Sequence, residues 1–255
     1  MTGLVGPLPE RYLAGVGAAL ADLLGPRLAG VYLHGSAVLG GFDPRRSDID
    51  VIAVCTVPMT AAQQTAAAGA LSERRLPCPA RGLEFSAVTL HSAAHPTAAP
   101  AFELHLTTAP EDAKVVDGHV SGPDPDLVLH FAVCRRAGRL LGPGLPPAGV
   151  FAPVPGALVL AQLAAELRWG AGHAPGEYAV LNACRAWRFS VDGTLVSKLD
   201  GGEWARGHLT GPDRDLVGTA LARQRGLPAA EPDPRAVGRF VRRVLPRLAG
   251  PPGRP

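Results

Sequence analysis

Every segment of this 255-residue chain that reads as a β-strand lies before residue 108, and beyond that point the apolar residues recur only at helical spacing. Leu28–Leu33, Ile49–Val54 and Gly82–Leu90 are short runs of β-formers bounded by Gly, Pro and polar turns, as buried strands are. Residues 101–107 fit a fourth short strand or a helical turn. Helical patterns cover 8–24 and 59–75, with a short helical turn at 36–40. Further helices are expected at 125–141, 154–170, 176–191, 200–207, 212–225 and 234–249. Gly142-Pro143-Gly144-Leu145-Pro146-Pro147 is the best linker candidate. The pattern predicts an α/β domain over 1–145, with a small mixed sheet and flanking helices, and an all-helical domain over 146–255.

Composition narrows the function classes. Hydrophobic residues make up 47% and charged residues only 18%, which excludes a disordered chain. No apolar run approaches the ~18 residues of a spanning helix, so no membrane partner is expected. The first residues lack a charged n-region, so a cytoplasmic location is expected. The net charge of +3 is too small and too dispersed to predict nucleic-acid binding. Cys55, Cys78, Cys134 and Cys184 form no C-x-x-C pair and read as reduced thiols. The C-terminal helix carries Arg235, Arg239, Arg242, Arg243 and Arg247 opposite an apolar side, a solvated basic face on a packed helix. A monomer is expected.

The chemistry concentrates in His34-Gly35-Ser36 and Ser47-Asp48-Ile49-Asp50-Val51. A strand delivers a Gly-Ser turn that opens a helix. Gly35 admits close backbone approach, and the helix-start amides with the Ser36 hydroxyl can donate to phosphate oxygens. Asp48 and Asp50 stand at i and i+2 on a strand and share a face. Neighbouring carboxylates repel unless a cation lies between them. Mg²⁺ prefers one or two carboxylates plus substrate phosphates. Glu84, in the third strand, is either a solvated strand residue or, if that strand lies beside the second, an acid able to take a proton from a substrate hydroxyl.

Gly-Ser, a gap, then Ser-Asp-Ile-Asp-Val on a strand resembles the signature of the DNA polymerase β-like nucleotidyltransferases. Val180-Leu181-Asn182-Ala183-Cys184-Arg185-Ala186-Trp187, Gly193, Lys198 and Trp204-Ala205 resemble the helical domain of the streptomycin and spectinomycin adenylyltransferases. Leu141-Gly142-Pro143 and Phe151-Ala152-Pro153-Val154-Pro155 fit the same branch. The resemblance implies transfer of AMP from ATP to a hydroxyl of an aminoglycoside or aminocyclitol. It gives Ser36 and Ser47, with Gly35, to the ATP triphosphate. Asp48 and Asp50 go to Mg²⁺, and Glu84 is the catalytic base. Arg185 and Lys198 go to the nucleotide phosphates, and Asp126 lies near the nucleotide. Lys198 is also one of only two lysines against 23 arginines, which suggests a need for a compact charge.

The chain departs from that branch on the acceptor side. Ala109 stands where the family has a tryptophan that packs on the antibiotic. In the loop Gly170–Glu177 only Glu177 is acidic, displaced by about two positions, and it is the candidate substrate contact. His34 replaces the usual aromatic, and a core or hinge role is expected for it. A nucleotide-binding regulatory module, or a transferase acting on protein or RNA, is the alternative. Retention of Asp48, Asp50 and Glu84 together argues for turnover.

Overall fold

The computed structural model describes residues 7–249. The chain forms two compact units that divide between Val154 and Pro155. The first contains α1 (Glu10–Leu24), β1 (Leu28–Leu33), α2 (Gly35–Leu39), β2 (Ile49–Cys55), α3 (Ala61–Ala70), β3 (Leu83–Thr89) and α4 (Leu90–Ala94). It continues with β4 (Leu104–Thr107), β5 (Lys114–Asp117), α5 (Gly118–Ser121), α6 (Leu127–Ala137), β6 (Arg139–Leu140) and α7 (Pro147–Val150). The six strands form one sheet in the order β5-β4-β3-β2-β1-β6. Only β2 and β3 run parallel. Their connection is α3, as a parallel crossover requires.

Alternation along the strands builds two cores, one on each face of the sheet. Val31, Leu33, Val51, Ala53, Phe85, Ala87, Leu104 and Leu106 pack with Leu13, Val16 and Leu20 of α1 and Ala67 of α3. The other face gives Tyr32, Ile52, Val54 and Val88 to Leu127, Phe131 and Cys134 of α6 and to Phe151. On this second face the apolar pattern stops at Asp50 and Glu84, near the starts of β2 and β3, where both side chains are half-buried.

The strands expected at 28–33, 49–54 and 82–90 form within one residue of those bounds, and 101–107 resolves as a strand over its last four residues. Two expected helices need correction, and one strand was missed. Helix 59–75 is shorter: a capping box of Thr60 and Gln63 starts it, and it ends at Ala70. Helix 125–141 stops at Ala137, and Gly138 turns the chain so that Arg139 and Leu140 pair with β1. A Cβ at residue 138 would lie 2.5 Å from the Cys134 carbonyl oxygen, so glycine is required there. The edge strand β5 gave no sequence signal, being four residues long and largely exposed.

The domain boundary also moves, from 145/146 to 154/155. The Gly/Pro cluster is fastened to the first unit: the Leu145 amide donates to Ala29 O at 2.9 Å, and the Tyr32 hydroxyl donates to Leu145 O at 2.9 Å. Phe151 is fully buried against Tyr32 and Phe131.

The second unit is helical throughout its described residues: α8 (Gly156–His173), α9 (Gly176–Asp192), α10 (Lys198–Gly207), α11 (Gly211–Gln224), α12 (Pro234–Val244) and a closing 3-10 turn, Leu245–Leu248. α9 touches every other helix of the unit. Nine of its residues are buried, among them Val180, Leu181, Cys184 and Phe189. The α12 arginines lie opposite its buried Val237, Phe240, Val241 and Val244. No helix among the described residues is long and apolar enough to cross a membrane.

Candidate active site

β1 ends at Leu33, and the chain turns through His34 and Gly35 into the five-residue helix α2. Gly35 has φ of 61°, a left-handed conformation that other residues adopt at a cost. A Cβ at this position would also overlap the Asp50 carboxylate. The Ser36 amide donates to Asp50 Oδ2 at 3.3 Å, and the His34 amide donates to the Asp50 carbonyl at 2.9 Å. Glycine is therefore what lets the Asp50 carboxylate lie against the turn.

The sheet register brings in the second carboxylate. Asp50 of β2 stands directly beside Glu84 of β3, and Thr107 of β4 lies beyond Glu84. Directly paired residues on neighbouring strands, ≈ 4.8 Å apart, put their side chains on the same face. Asp48 lies two residues upstream, just before β2 begins. Its Oδ2 lies 3.7 Å from Arg81 Nη1, and Arg81 also donates from Nε to Glu111 at 2.6 Å. Ser47 closes the preceding turn: its Oγ accepts from the Asp43 amide at 3.1 Å, and its own amide donates to Asp43 O at 2.7 Å. A hydroxyl that accepts in this way still has its proton to donate. Asp126 is exposed at the start of α6.

Behind the carboxylates the environment is apolar. His34 is 2% exposed, and its ring lies 4.7 Å from that of His130 on α6. Burial first, and the neighbouring His130 second, hold the His34 pKa well below its usual value, so the ring is neutral. Burial lowers His105 as well, against the opposing pull of Glu84. Burial and then the Asp50 charge push the Cys134 thiol up. His34 is thus a core residue under the turn.

Among the described residues no three His, Cys, Asp or Glu side chains gather closely enough to hold a metal alone. The donor set of Asp48 and Asp50 is nonetheless the hard-oxygen, two-carboxylate set that suits Mg²⁺ when substrate phosphates complete its shell. The Arg81 guanidinium already lies beside Asp48.

The remaining sequence candidates lie in the helical unit. Arg185 on α9 donates from Nη2 to Glu166 Oε2 of α8 at 2.9 Å. Lys198 opens α10, with its Nζ 4.3 Å above the Tyr178 ring. Ser197 caps that helix, accepting from the Asp200 amide at 3.0 Å. Glu177, read from sequence as a counter-charge for a substrate amine, is 6% exposed and takes Arg223 Nε at 3.1 Å. Its carboxylate serves the packing of α9 on α11. Ala109 is buried, 4% exposed, and a Cβ on Gly82 would lie 2.7 Å from its Cα. That position offers no aromatic wall.

Sequence reading missed Arg81, His130, Glu166 and Asn182. Asn182 is 3% exposed, and its Oδ1 and Nδ2 have no hydrogen-bond partner among the described residues. Leaving such an amide unsatisfied costs about 1–3 kcal/mol. Arg81, His130 and Glu166 carry no local motif and became visible only through their neighbours in space, whereas Asn182 lies in the Val180–Trp187 motif without a role of its own. Cavities of about 370 and 270 Å³, lined by Arg206 and Arg214 and by Arg239 and Arg243, contain none of the candidate residues.

Residues 149–247 match the family model for the aminoglycoside adenylyltransferase C-terminal domain. The match is confined to the helical unit and the few residues before it. No curated protein matches the chain. Among solved structures, the fold is similar to that of the spectinomycin adenyltransferase AAD(9) from Enterococcus faecialis, determined with ATP and spectinomycin. The TM-score is 0.72 at 14% identity, over 94% of this chain and 99% of that one. The likeness shows the fold, a sheet unit followed by a helical unit.

Proposed function

We propose that this chain is an adenylyltransferase that moves AMP from ATP to a hydroxyl of an aminocyclitol antibiotic. The observation that carries the reading is the side-by-side register of Asp50 and Glu84, with the Asp50 carboxylate seated against the Gly35-Ser36 turn. The helical-domain match and the likeness to a spectinomycin adenyltransferase support it.

In this reading Ser36, Ser47 and the α2 amides bind the ATP phosphates. Asp48 and Asp50 would hold Mg²⁺, which when bound would neutralise phosphate charge and lower the pKa of the attacking hydroxyl. Glu84 accepts the proton of that hydroxyl as its oxygen attacks the α-phosphorus. The bond from the α-phosphorus to the bridging oxygen breaks, and pyrophosphate leaves. Orientation of the two reactants supplies much of the acceleration. Arg185 and Lys198 are assigned to the nucleotide phosphates, and Asp126 to its vicinity, on resemblance.

The acceptor assignment follows from what the site lacks. A polycation such as streptomycin gains from an aromatic wall and free carboxylates. Here Ala109 is buried and Glu177 is ion-paired with Arg223. Losing one aromatic contact costs on the order of 2 kcal/mol, which is tens-fold in affinity. Streptomycin is therefore expected to be a poor substrate, and spectinomycin, the ligand of the structural neighbour, is the acceptor we propose. The test is steady-state pyrophosphate release with each acceptor. Efficient turnover of streptomycin at micromolar KM would overturn the acceptor assignment. Labelling of protein or RNA from ATP, with no small acceptor used, would overturn the reading itself.

A further inference from the structure

The sheet face that carries Asp50 and Glu84 continues across β4. Glu84 pairs with Thr107 and Ser86 pairs with His105, so His105 lies on that face, one diagonal step from Glu84. Diagonal neighbours on paired strands are within reach of long and aromatic side chains. Ser86 is buried, whereas Asp50, Glu84, His105 and Thr107 each keep part of their surface exposed, so this end of the face is open to a solute.

Ser86 Oγ and His105 Nδ1 lie 3.1 Å apart. Ser86 is 3% exposed, and its hydroxyl has no other partner among the described residues. If that hydroxyl accepted from Nδ1, its own proton would be buried and unspent, which buried polar groups ordinarily avoid. Donation from the hydroxyl to Nδ1 satisfies it and puts the ring proton on Nε2. Nε2 makes no hydrogen bond among the described residues and, unlike His130 Nδ1, is not sealed from solvent. Burial holds the His105 pKa below its usual value, which keeps the ring neutral near pH 7. Glu84 on β3 and Asp124 before α6 favour its protonation, and Lys114 on β5 and His130 on α6 oppose it.

An acceptor whose hydroxyl meets Glu84 brings its neighbouring atoms over β4. A ring oxygen or second hydroxyl there can accept from a neutral N–H, and a cationic amine on the same molecule is repelled by an imidazolium but not by an imidazole. We propose that His105 Nε2 donates to an acceptor oxygen adjoining the reacting hydroxyl, and that the ring must be neutral to admit a cationic aminocyclitol. The proposal rests on the adenylyltransferase reading and adds an acceptor-binding residue to it.

The test is steady-state pyrophosphate release by the wild type, His105→Gln and His105→Leu from about pH 5.5 to 8, which spans the histidine range. Spectinomycin is varied at saturating Mg·ATP, ATP is varied at saturating spectinomycin, and thermal midpoints are taken alongside. Near neutral pH, His105→Leu should raise the spectinomycin KM about tenfold, the scale of one hydrogen bond. The effect should fall on that KM and not on kcat or the ATP KM, because the bond is made alike in ground and transition states. His105→Gln keeps an N–H and should recover most of the loss. The wild-type spectinomycin KM should also rise as pH falls through the histidine range, and His105→Gln, whose amide takes up no proton, should remove that rise. If His105→Leu loses its thermal midpoint, the pH comparison of the wild type with His105→Gln decides alone. An unchanged spectinomycin KM in a folded His105→Leu would overturn the proposal and leave the functional reading standing. Equal weakening of ATP, a loss confined to kcat, or a pH effect that persists in His105→Gln would do the same. A wild type that releases no pyrophosphate with spectinomycin would overturn the acceptor assignment and this proposal with it.

Discussion

The two units hold their candidate residues by different means. In the sheet unit, backbone pairing does the placing. Asp50 and Glu84 are neighbours because β2 and β3 run parallel in a fixed register, and a slip of one residue would send both to the opposite core. In the helical unit, side chains do the placing. Arg185 is held by Glu166, Lys198 lies over Tyr178, and Glu177 is occupied by Arg223. A backbone-placed residue can be read from spacing alone. A side-chain-placed one depends on partners distant in sequence.

Substitutions can break or sharpen this contrast. The largest effect is expected at Glu84. Glu84→Gln removes the proposed base without disturbing the ladder, and kcat should fall about 10²–10⁴-fold with ATP affinity unchanged. Single-turnover kinetics beside ATP titration separates the two, and a large loss of Mg·ATP binding would make Glu84 a metal ligand instead. Gly35→Ala comes next. The added Cβ meets the Asp50 carboxylate at a positive φ, so the carboxylate must move. A shift of that size costs on the order of 10²-fold in rate. A fully active Gly35→Ala protein would show that the placement of Asp50 tolerates slack.

Glu177, in the helical unit, should answer with stability, not rate. Glu177→Gln leaves Arg223 short of its partner and should cost about 1–3 kcal/mol in denaturant unfolding, with acceptor kcat/KM unchanged. A selective rise in acceptor KM would restore Glu177 as a substrate contact. The smallest effect concerns pH. The folded protein keeps His34 neutral, whereas the unfolded chain protonates it below the ordinary histidine pKa of 6.5. The unfolded state then binds more protons, so stability falls as pH drops below about 6.5. His34→Phe should flatten that slope, and His105, shifted the same way, should preserve a remnant. An unchanged pH dependence of the unfolding free energy would show that His34 is not the source.

The same contrast explains what the sequence made legible. The Gly35-Ser36 turn and three strands were readable because period and spacing encode them directly. The pairing of Glu84 with Asp50 was conditional on strand order, which no local pattern specifies. β5 and β6 escaped because runs of four and two residues carry no period. The boundary was misplaced because Gly and Pro mark turns, and the turn at 142–147 is tied back onto β1 through Tyr32 and Ala29. The commitment of Glu177 to Arg223 spans 46 residues and left no trace in the spacing.

The central claim is that the carboxylates fixed by β2 and β3 perform acceptor-dependent AMP transfer. The most direct measurement is pyrophosphate release from Mg·ATP with and without spectinomycin, for the wild type and Asp50→Asn at equal thermal stability. The account predicts release that requires the acceptor in the wild type and falls to background in Asp50→Asn. Near-normal turnover by Asp50→Asn at saturating Mg²⁺ and ATP would contradict it.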